Sequence, residues 1–218
     1  MTYISEKSYY DVELHPIENK TKIKIIEVSI ELFSKKGFSG ASIRDITNEV
    51  GIKESSLYKH FKSKDQILET IFINFRKETD KLLPPMEHID HIVESMSIKD
   101  FLVRGTENFL NHINDYFNLK IWRIMYIELF RHPMAQEIYR NVIMDQTVDC
   151  LESVFKKMIQ CGKMAKVNPR TMATEYQFSS ISLILEYNLL KAEEKSTDKI
   201  ELRIKEHVEF FANIARPI

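Results

Sequence analysis

The stretch SIRDITNEVGIKESSLYKHFKSKDQIL, Ser42 to Leu68, decides the fold. Its apolar residues recur at helical spacing but sparsely: Ile43, Ile46 and Val50 make one narrow stripe, and Leu57 and Phe61 a second. Ser42 can cap a first helix, with Asp45 three residues on as a shortened capping-box acid, and Gly51 can end it. Ile52 and Lys53 then lead into a very short helix over about Glu54–His60, and Ser63 with Gln66 makes a capping box for a longer one. Two short helices joined at a glycine, the second polar over most of its surface, predict a helix-turn-helix whose outer face meets another molecule. Taken alone, the pattern fits a purely structural αα corner equally well.

Working outward, the helix before this stretch spans Lys20 to Lys36, with Ile26, Ile30 and Phe33 at i, i+4 and i+7. Gly37 is expected to stop it in a left-handed Schellman ending, with Phe38 folding back on Phe33 and Lys35 and Lys36 at the negative end of the helix dipole. Residues 1–19 show no clear period and read as an arm, with Tyr3, Tyr9 and Tyr10 packing on the body. The helix after the stretch carries Ile67, Leu68, Ile71, Phe72 and Phe75 to about Leu83, where Pro84-Pro85 closes it. Further helices are expected at 98–115, 118–131, 134–162, 169–192 and 198–214, separated by Pro, Gly and polar breaks. The expectation is an all-α fold of about nine helices. It comprises an arm (1–19), a three-helix helix-turn-helix domain (20–66) and a larger helical domain (67–218).

Composition agrees with a helical, core-forming chain: 218 residues, 44% hydrophobic and 29% charged, with only 5 Gly and 6 Pro. Cys150 and Cys161 fall in one expected helix, about 16 Å apart at the α-helical rise, too far to bridge within it. With no secretory leader pattern and no apolar run of membrane-spanning length, a reducing cytoplasm and no membrane partner are expected. The net charge of −1 hides its distribution: residues 20–64 hold ten Lys/Arg against five Asp/Glu, while the rest is mildly acidic. A local basic segment on an acidic chain fits a polyanion contact.

The side chains suit that contact. Ser55, Ser56, Tyr58 and Lys59 supply hydroxyl and ammonium donors for phosphates and base edges, while Leu57 and Phe61 anchor the short helix inward. Backbone N–H groups at Ser42 and at Ser63-Lys64 open helices toward anions. Four ordered elements then carry a resemblance: Ile-Ile-x-x-x-x-x-Leu-Phe-x-x-x-Gly-Phe (25–38), Ser-Ile-x-x-Ile (42–46), Val-Gly-Ile (50–52) and Leu-Tyr-x-x-Phe-x-x-Lys (57–64). Together they resemble the N-terminal DNA-binding domain of the tetracycline-repressor (TetR) family of bacterial transcriptional regulators. The resemblance implies a repressor that binds a pseudo-palindromic operator in double-stranded DNA as a homodimer and is released by a small-molecule effector. It implies phosphate contacts at Thr21, Ser42, Arg44, Tyr58 and Lys64 and base proximity for Ser55, Ser56 and Lys59, with Lys53 and His60 completing the expected DNA-contact set. It also implies a dimer interface through the last two helices, which carry Met172, Tyr176, Ile181, Ile184, Leu185, Tyr187, Ile204, Val208 and Phe211. The chain departs from the family at Lys53, which cannot cap, and Glu54, an acid near phosphates. Glu54 is expected to pair with Lys53 or Arg44, the alternative being acceptance of a bond from a cytosine amine.

Elsewhere, Phe109, Tyr116, Trp122, Met125, Tyr126, Tyr176 and Ser180 could line an apolar effector pocket with a few polar tips, although such stripes are more often core. His88-x-x-His91 has metal-ligand spacing but lies in a polar, exposed-looking stretch, and no metal or cofactor is expected. No phosphate loop, nucleophile elbow or activated cysteine marks an enzyme. The competing reading is a ligand-independent or partner-controlled DNA-binding protein of the same fold.

Overall fold

Ser42 and Asp45 form the expected reciprocal box in the computed structural model, which describes residues 8–217. The Ser42 side chain accepts from Asp45 N–H at 3.1 Å, and Asp45 accepts from Ser42 N–H at 2.8 Å. The fold is all-α apart from one hairpin of two-residue strands. Tyr3 lies outside the described residues. Within the arm, β1 (Tyr9–Tyr10) pairs antiparallel with β2 (Pro16–Ile17), and Asp11 holds the turn by accepting from the N–H groups of Glu13 and His15. The helices are α1 (Lys20–Gly40), α2 (Ile43–Val50), α3 (Glu54–Leu57), α4 (Lys64–Asp80), α5 (Ile89–Ser95), α6 (Ile98–Asn114), α7 (Tyr116–Glu128), α8 (Pro133–Glu137), α9 (Thr147–Gln160), α10 (Pro169–Ala192) and α11 (Asp198–Ile214). A π-helical segment, Ile138–Gln146, joins α8 to α9, and a 3-10 turn, Met86–His88, precedes α5.

The chain divides into two compact units, residues 8–78 with 115–137, and 79–114 with 138–217. This division differs from the boundary expected at residue 66, because most of α4 and all of α7 and α8 belong with the N-terminal helices. In the first unit Ile25, Ile26, Ile30 and Phe33 of α1, Leu68, Ile71 and Phe72 of α4, and Trp122 and Met125 of α7 are all fully buried, and α1 packs along α7. Burying each such side chain contributes about 1.5–3 kcal/mol, which outweighs the modest propensity of β-branched isoleucine for helices. The hairpin is fixed to α4 by one amide: Asn74 Oδ1 accepts from Tyr10 N–H (2.8 Å), and Asn74 Nδ2 donates to the Tyr10 carbonyl (2.7 Å). Lys77 lies 4.0 Å over the Tyr10 ring.

The ending of α1 is not the expected Schellman motif. Gly37 has positive φ (72°), but its ψ of 164° lies outside the left-handed helical basin, and helical structure resumes to Gly40. Phe38 does fold onto Phe33, edge to face at 5.3 Å. Its N–H, however, donates to Glu128 Oε1 of α7 at 3.0 Å instead of to a helix carbonyl. A carboxylate ninety residues away has replaced the local acceptor.

In the second unit Val154, Phe155 and Met158 of α9 pack with Met172 and Tyr176 of α10 and with Val208 and Phe211 of α11. Gln177 donates from Nε2 to the Ile143 carbonyl at 2.6 Å, satisfying an acceptor inside the π-helical segment. Cys150 and Cys161 are free thiols, and burial pushes Cys150 up to about 11. Among the described residues no helix is long and apolar enough to cross a membrane.

Candidate nucleic-acid interface

The turn between α2 and α3 is built by one residue. Gly51 adopts φ 81°, ψ 36°, a true left-handed conformation. Its N–H and that of Ile52 both donate to the Thr47 carbonyl, at 2.9 and 3.0 Å. Any Cβ here would have room, since nothing lies within 4 Å, so the glycine is required by its backbone angle alone. Beyond it α3 makes one α-helical turn. The chain then continues in short turns, with Lys59 N–H donating to Ser56 and His60 N–H to Leu57. The expected helix to His60 is thus a single α-turn followed by tighter turns, consistent with Lys53 at the N-cap making no side-chain bond.

Leu57 is fully buried and Phe61 nearly so, which fixes the opposite side of this segment outward. Lys53, Glu54, Ser55, Tyr58 and Lys59 are exposed, as are Ser42 and Arg44, while Thr21, Ser56, His60 and Lys64 are half-buried. The cations divide into two kinds. Lys64 donates to the carbonyls of Phe38 (2.7 Å) and Ala41 (2.8 Å) and lies 4.3 Å over the Phe38 ring, tying the start of α4 to the α1–α2 junction. Lys24 donates to the Val50 carbonyl (3.0 Å) at the end of α2, and Lys36 pairs with Asp45 (3.4 Å). Between Arg44 and Lys64, by contrast, Arg44, Lys53, Lys59 and Lys62 have no side-chain partner among the described residues. Lys62 is absent from the set expected from sequence; its exposure beside Phe61 is the signal that would have found it.

Glu54 departs from expectation. Its carboxylate forms no ion pair with Lys53, Arg44 or any other described residue. Asp45 is the contrasting acid: the Ser42 N–H and hydroxyl, and then Lys36, hold its carboxyl below the usual value of 3.8.

Phe38 joins these helices to α7. Its N–H is held by Glu128, which is almost fully buried, and its carbonyl by Lys64. A second tie between α7 and α1 is the ion pair of Lys120 with Glu31. The placement of the α1–α2 junction therefore depends on α7 as well as on the three-helix core.

The seven residues considered for an effector pocket do not fall in one unit. Trp122 and Met125 are fully buried in the first, where Trp122 meets Phe75 edge-on at 5.1 Å and Tyr126 at 5.8 Å; these are core contacts. Tyr116 is 53% exposed beneath Lys120. Phe109, Tyr176 and Ser180 belong to the second unit. There the Tyr176 hydroxyl meets Thr106 Oγ1 at 3.0 Å and its ring stacks on His207 at 4.9 Å. Ser180 donates to the Tyr176 carbonyl, so its oxygen accepts from His207 Nε2 at 2.9 Å. Burial holds His207 below, and Tyr176 above, its ordinary value. An open groove of about 540 Å³ runs between α10 and α11, lined by Met172, Glu175, Ser179, His207, Phe210 and Ile214 among others, and by none of the seven. Among the described residues no cluster of three His, Cys, Asp or Glu side chains could hold a metal ion.

The interface residues expected on α10 and α11 need correction. Met172, Tyr176, Ile181, Ile184, Tyr187, Ile204, Val208 and Phe211 are buried within their own chain, and only Leu185 of that set is exposed. The exposed apolar side chains are Phe178, Leu185 and Leu189 on α10, at i, i+7 and i+11, with Leu202, Phe210 and Ile214 on α11. Both helices carry two apolar faces, and periodicity does not say which one the chain covers by itself.

The family profile described as "Bacterial regulatory proteins, tetR family" matches residues 25–71. The uncharacterized HTH-type transcriptional regulator YerO of Bacillus subtilis is 48% identical over 50 residues, 23% of this chain and 17% of its own length. The HTH-type negative transcriptional regulator IcaR of the biofilm operon icaADBC in Staphylococcus aureus is 52% identical over 48 residues, 22% of this chain and 26% of its own. The chain thus spans about a quarter or less of these curated relatives. Likeness in fold extends further: a solved structure from Saccharomonospora viridis, in complex with choline, superposes with a TM-score of 0.65 at 18% identity, covering 90% of this chain and 98% of that one.

Proposed function

We propose that this chain, whose residues 25–71 match the tetR family profile, is a TetR-type transcriptional repressor. Two copies pair through the exposed apolar faces of α10 and α11 and present two α2–α3 heads to a palindromic operator. One observation carries this reading: Arg44, Lys53, Lys59 and Lys62, with no side-chain partner among the described residues, flank a turn whose apolar residues Leu57 and Phe61 are buried. Unpaired surface cations lose little on meeting phosphates and gain the entropy of released counterions. In this reading Ser42, Arg44, Tyr58 and Thr21 contact phosphates, and Ser55, Ser56 and Lys59 lie nearest the bases. IcaR, described as a negative regulator, supports repression as the sign of the effect.

Release by a small molecule follows from two-state coupling: an effector that binds one dimer geometry more tightly lowers operator affinity by that difference. The choline complex supports the capacity of this fold to hold a small molecule. In this chain the ties of α7 to α1, Glu128–Phe38 and Lys120–Glu31, are contacts through which a shift of α7 would reorient the head. The test is selection of duplexes from a random library with the purified protein. Enrichment of a palindrome with half-sites about one helical turn apart is expected. A library that emerges unenriched would count against the whole reading.

A further inference from the structure

We propose that Glu54 reads sequence: its carboxylate accepts a hydrogen bond from the exocyclic amine of a cytosine and sets base preference at one position of each half-site. This rests on the DNA-binding reading above and goes beyond it. The observation is a mismatch of charge. Glu54 is exposed on α3 between Lys53 and Ser55, and its carboxylate pairs with no described residue, although Lys53 and Arg44 have no side-chain partner among the described residues either. Asp45 of α2 is by contrast neutralised by Lys36 and by the Ser42 hydroxyl and N–H.

An ionised carboxylate only accepts, so beside phosphates it is repelled and in a groove it needs a donor. The major groove offers amine donors at cytosine N4 and adenine N6. Adenine places its N7 acceptor beside N6, where a second carboxylate oxygen would face a lone pair. Cytosine presents N4 without an adjacent acceptor of its own. The chemistry therefore favours cytosine, and it predicts a specific change when the charge is removed but the amide shape kept, because glutamine pairs with adenine N6 and N7 together.

The experiment compares wild-type protein, Glu54→Gln and Glu54→Ala on the library-selected duplex and on the full set of single-base changes in one half-site. Because the Glu54 side chain is exposed and has no hydrogen-bond or ion-pair partner among the described residues, all three should unfold at nearly the same temperature. At one position the wild type should prefer cytosine by roughly ten- to a hundredfold; Glu54→Ala should lose that preference, and Glu54→Gln should shift it toward adenine. If both variants instead bind every duplex more tightly with an unchanged preference profile, Glu54 only repels phosphates and the proposal is wrong. A wild-type protein that selects no duplex would overturn the DNA-binding reading itself, before any variant is compared.

Discussion

Replacing Glu128 with alanine removes the acceptor that holds Phe38 N–H at 3.0 Å, at a place where Glu128 is only 2% exposed. An orphaned buried N–H costs about 1–3 kcal/mol, and truncating the side chain adds a cavity. For a chain of this size each kcal/mol lowers the melting temperature by about 2–4 °C, so a loss of about 2 kcal/mol should read as roughly 4–8 °C. Glu128→Gln is the control. It keeps an oxygen for Phe38 N–H while relieving a buried charge, and should stay within about 1 kcal/mol of wild type in either direction. Thermal unfolding followed by circular dichroism measures both. The physical claim is that the amide hydrogen bond, not the charge, secures the α1–α2 junction. Equal melting temperatures for wild type and Glu128→Ala would refute it, as would a Gln variant as unstable as the Ala one.

Three further outcomes follow from the same contacts. Asp45 has a folded pKa below 3.8, first because it accepts from Ser42 N–H, so its contribution is complete above that value and disappears as pH falls through the lower folded one. Acid titration should therefore show Asp45→Asn losing less stability than wild type below about pH 4; parallel acid curves would contradict this. Lys64→Met should lower the melting temperature, since two carbonyls lose their donor, whereas Lys62→Met should leave it unchanged and flatten the salt dependence of DNA binding by about two phosphates, one per protomer. Phe178→Glu with Leu189→Glu should shift the dimer to monomer in sedimentation velocity at micromolar concentration, weakening association on the order of a hundredfold or more. Unchanged sedimentation would move the interface elsewhere.

What the sequence revealed depended on range. The Ser42–Asp45 box, the helix end at Gly51 and the inward Leu57 and Phe61 are decided within four or five residues, so spacing alone predicts them. The fate of Gly37 is not local: the residues around it suit a Schellman ending, but Glu128 captures the Phe38 amide and the helix resumes. Lys64 is similar. Its position marks it as a cation beside the recognition turn, yet only the folded chain brings the Phe38 and Ala41 carbonyls to its ammonium. Trp122 and Met125 show the limit of an aromatic stripe, which has the same period whether it lines a cavity or fills a core. On α10 and α11 the limit is a second apolar face, legible as apolar and unassignable until Tyr176, Ile184 and Val208 are seen buried against their own chain.

The most direct measurement is the salt dependence of affinity for the selected palindrome beside that for a scrambled duplex. Among the described residues Arg44, Lys53 and Lys62 have no side-chain partner, so a dimer that sets these three of each protomer against phosphates would show a log–log slope of about −5. A slope steeper than about −4 on the palindrome, with at least roughly a thousandfold preference over the scrambled duplex, is the predicted result. A slope flatter than about −2, or equal affinity for both duplexes, would contradict a dimeric operator-binding protein.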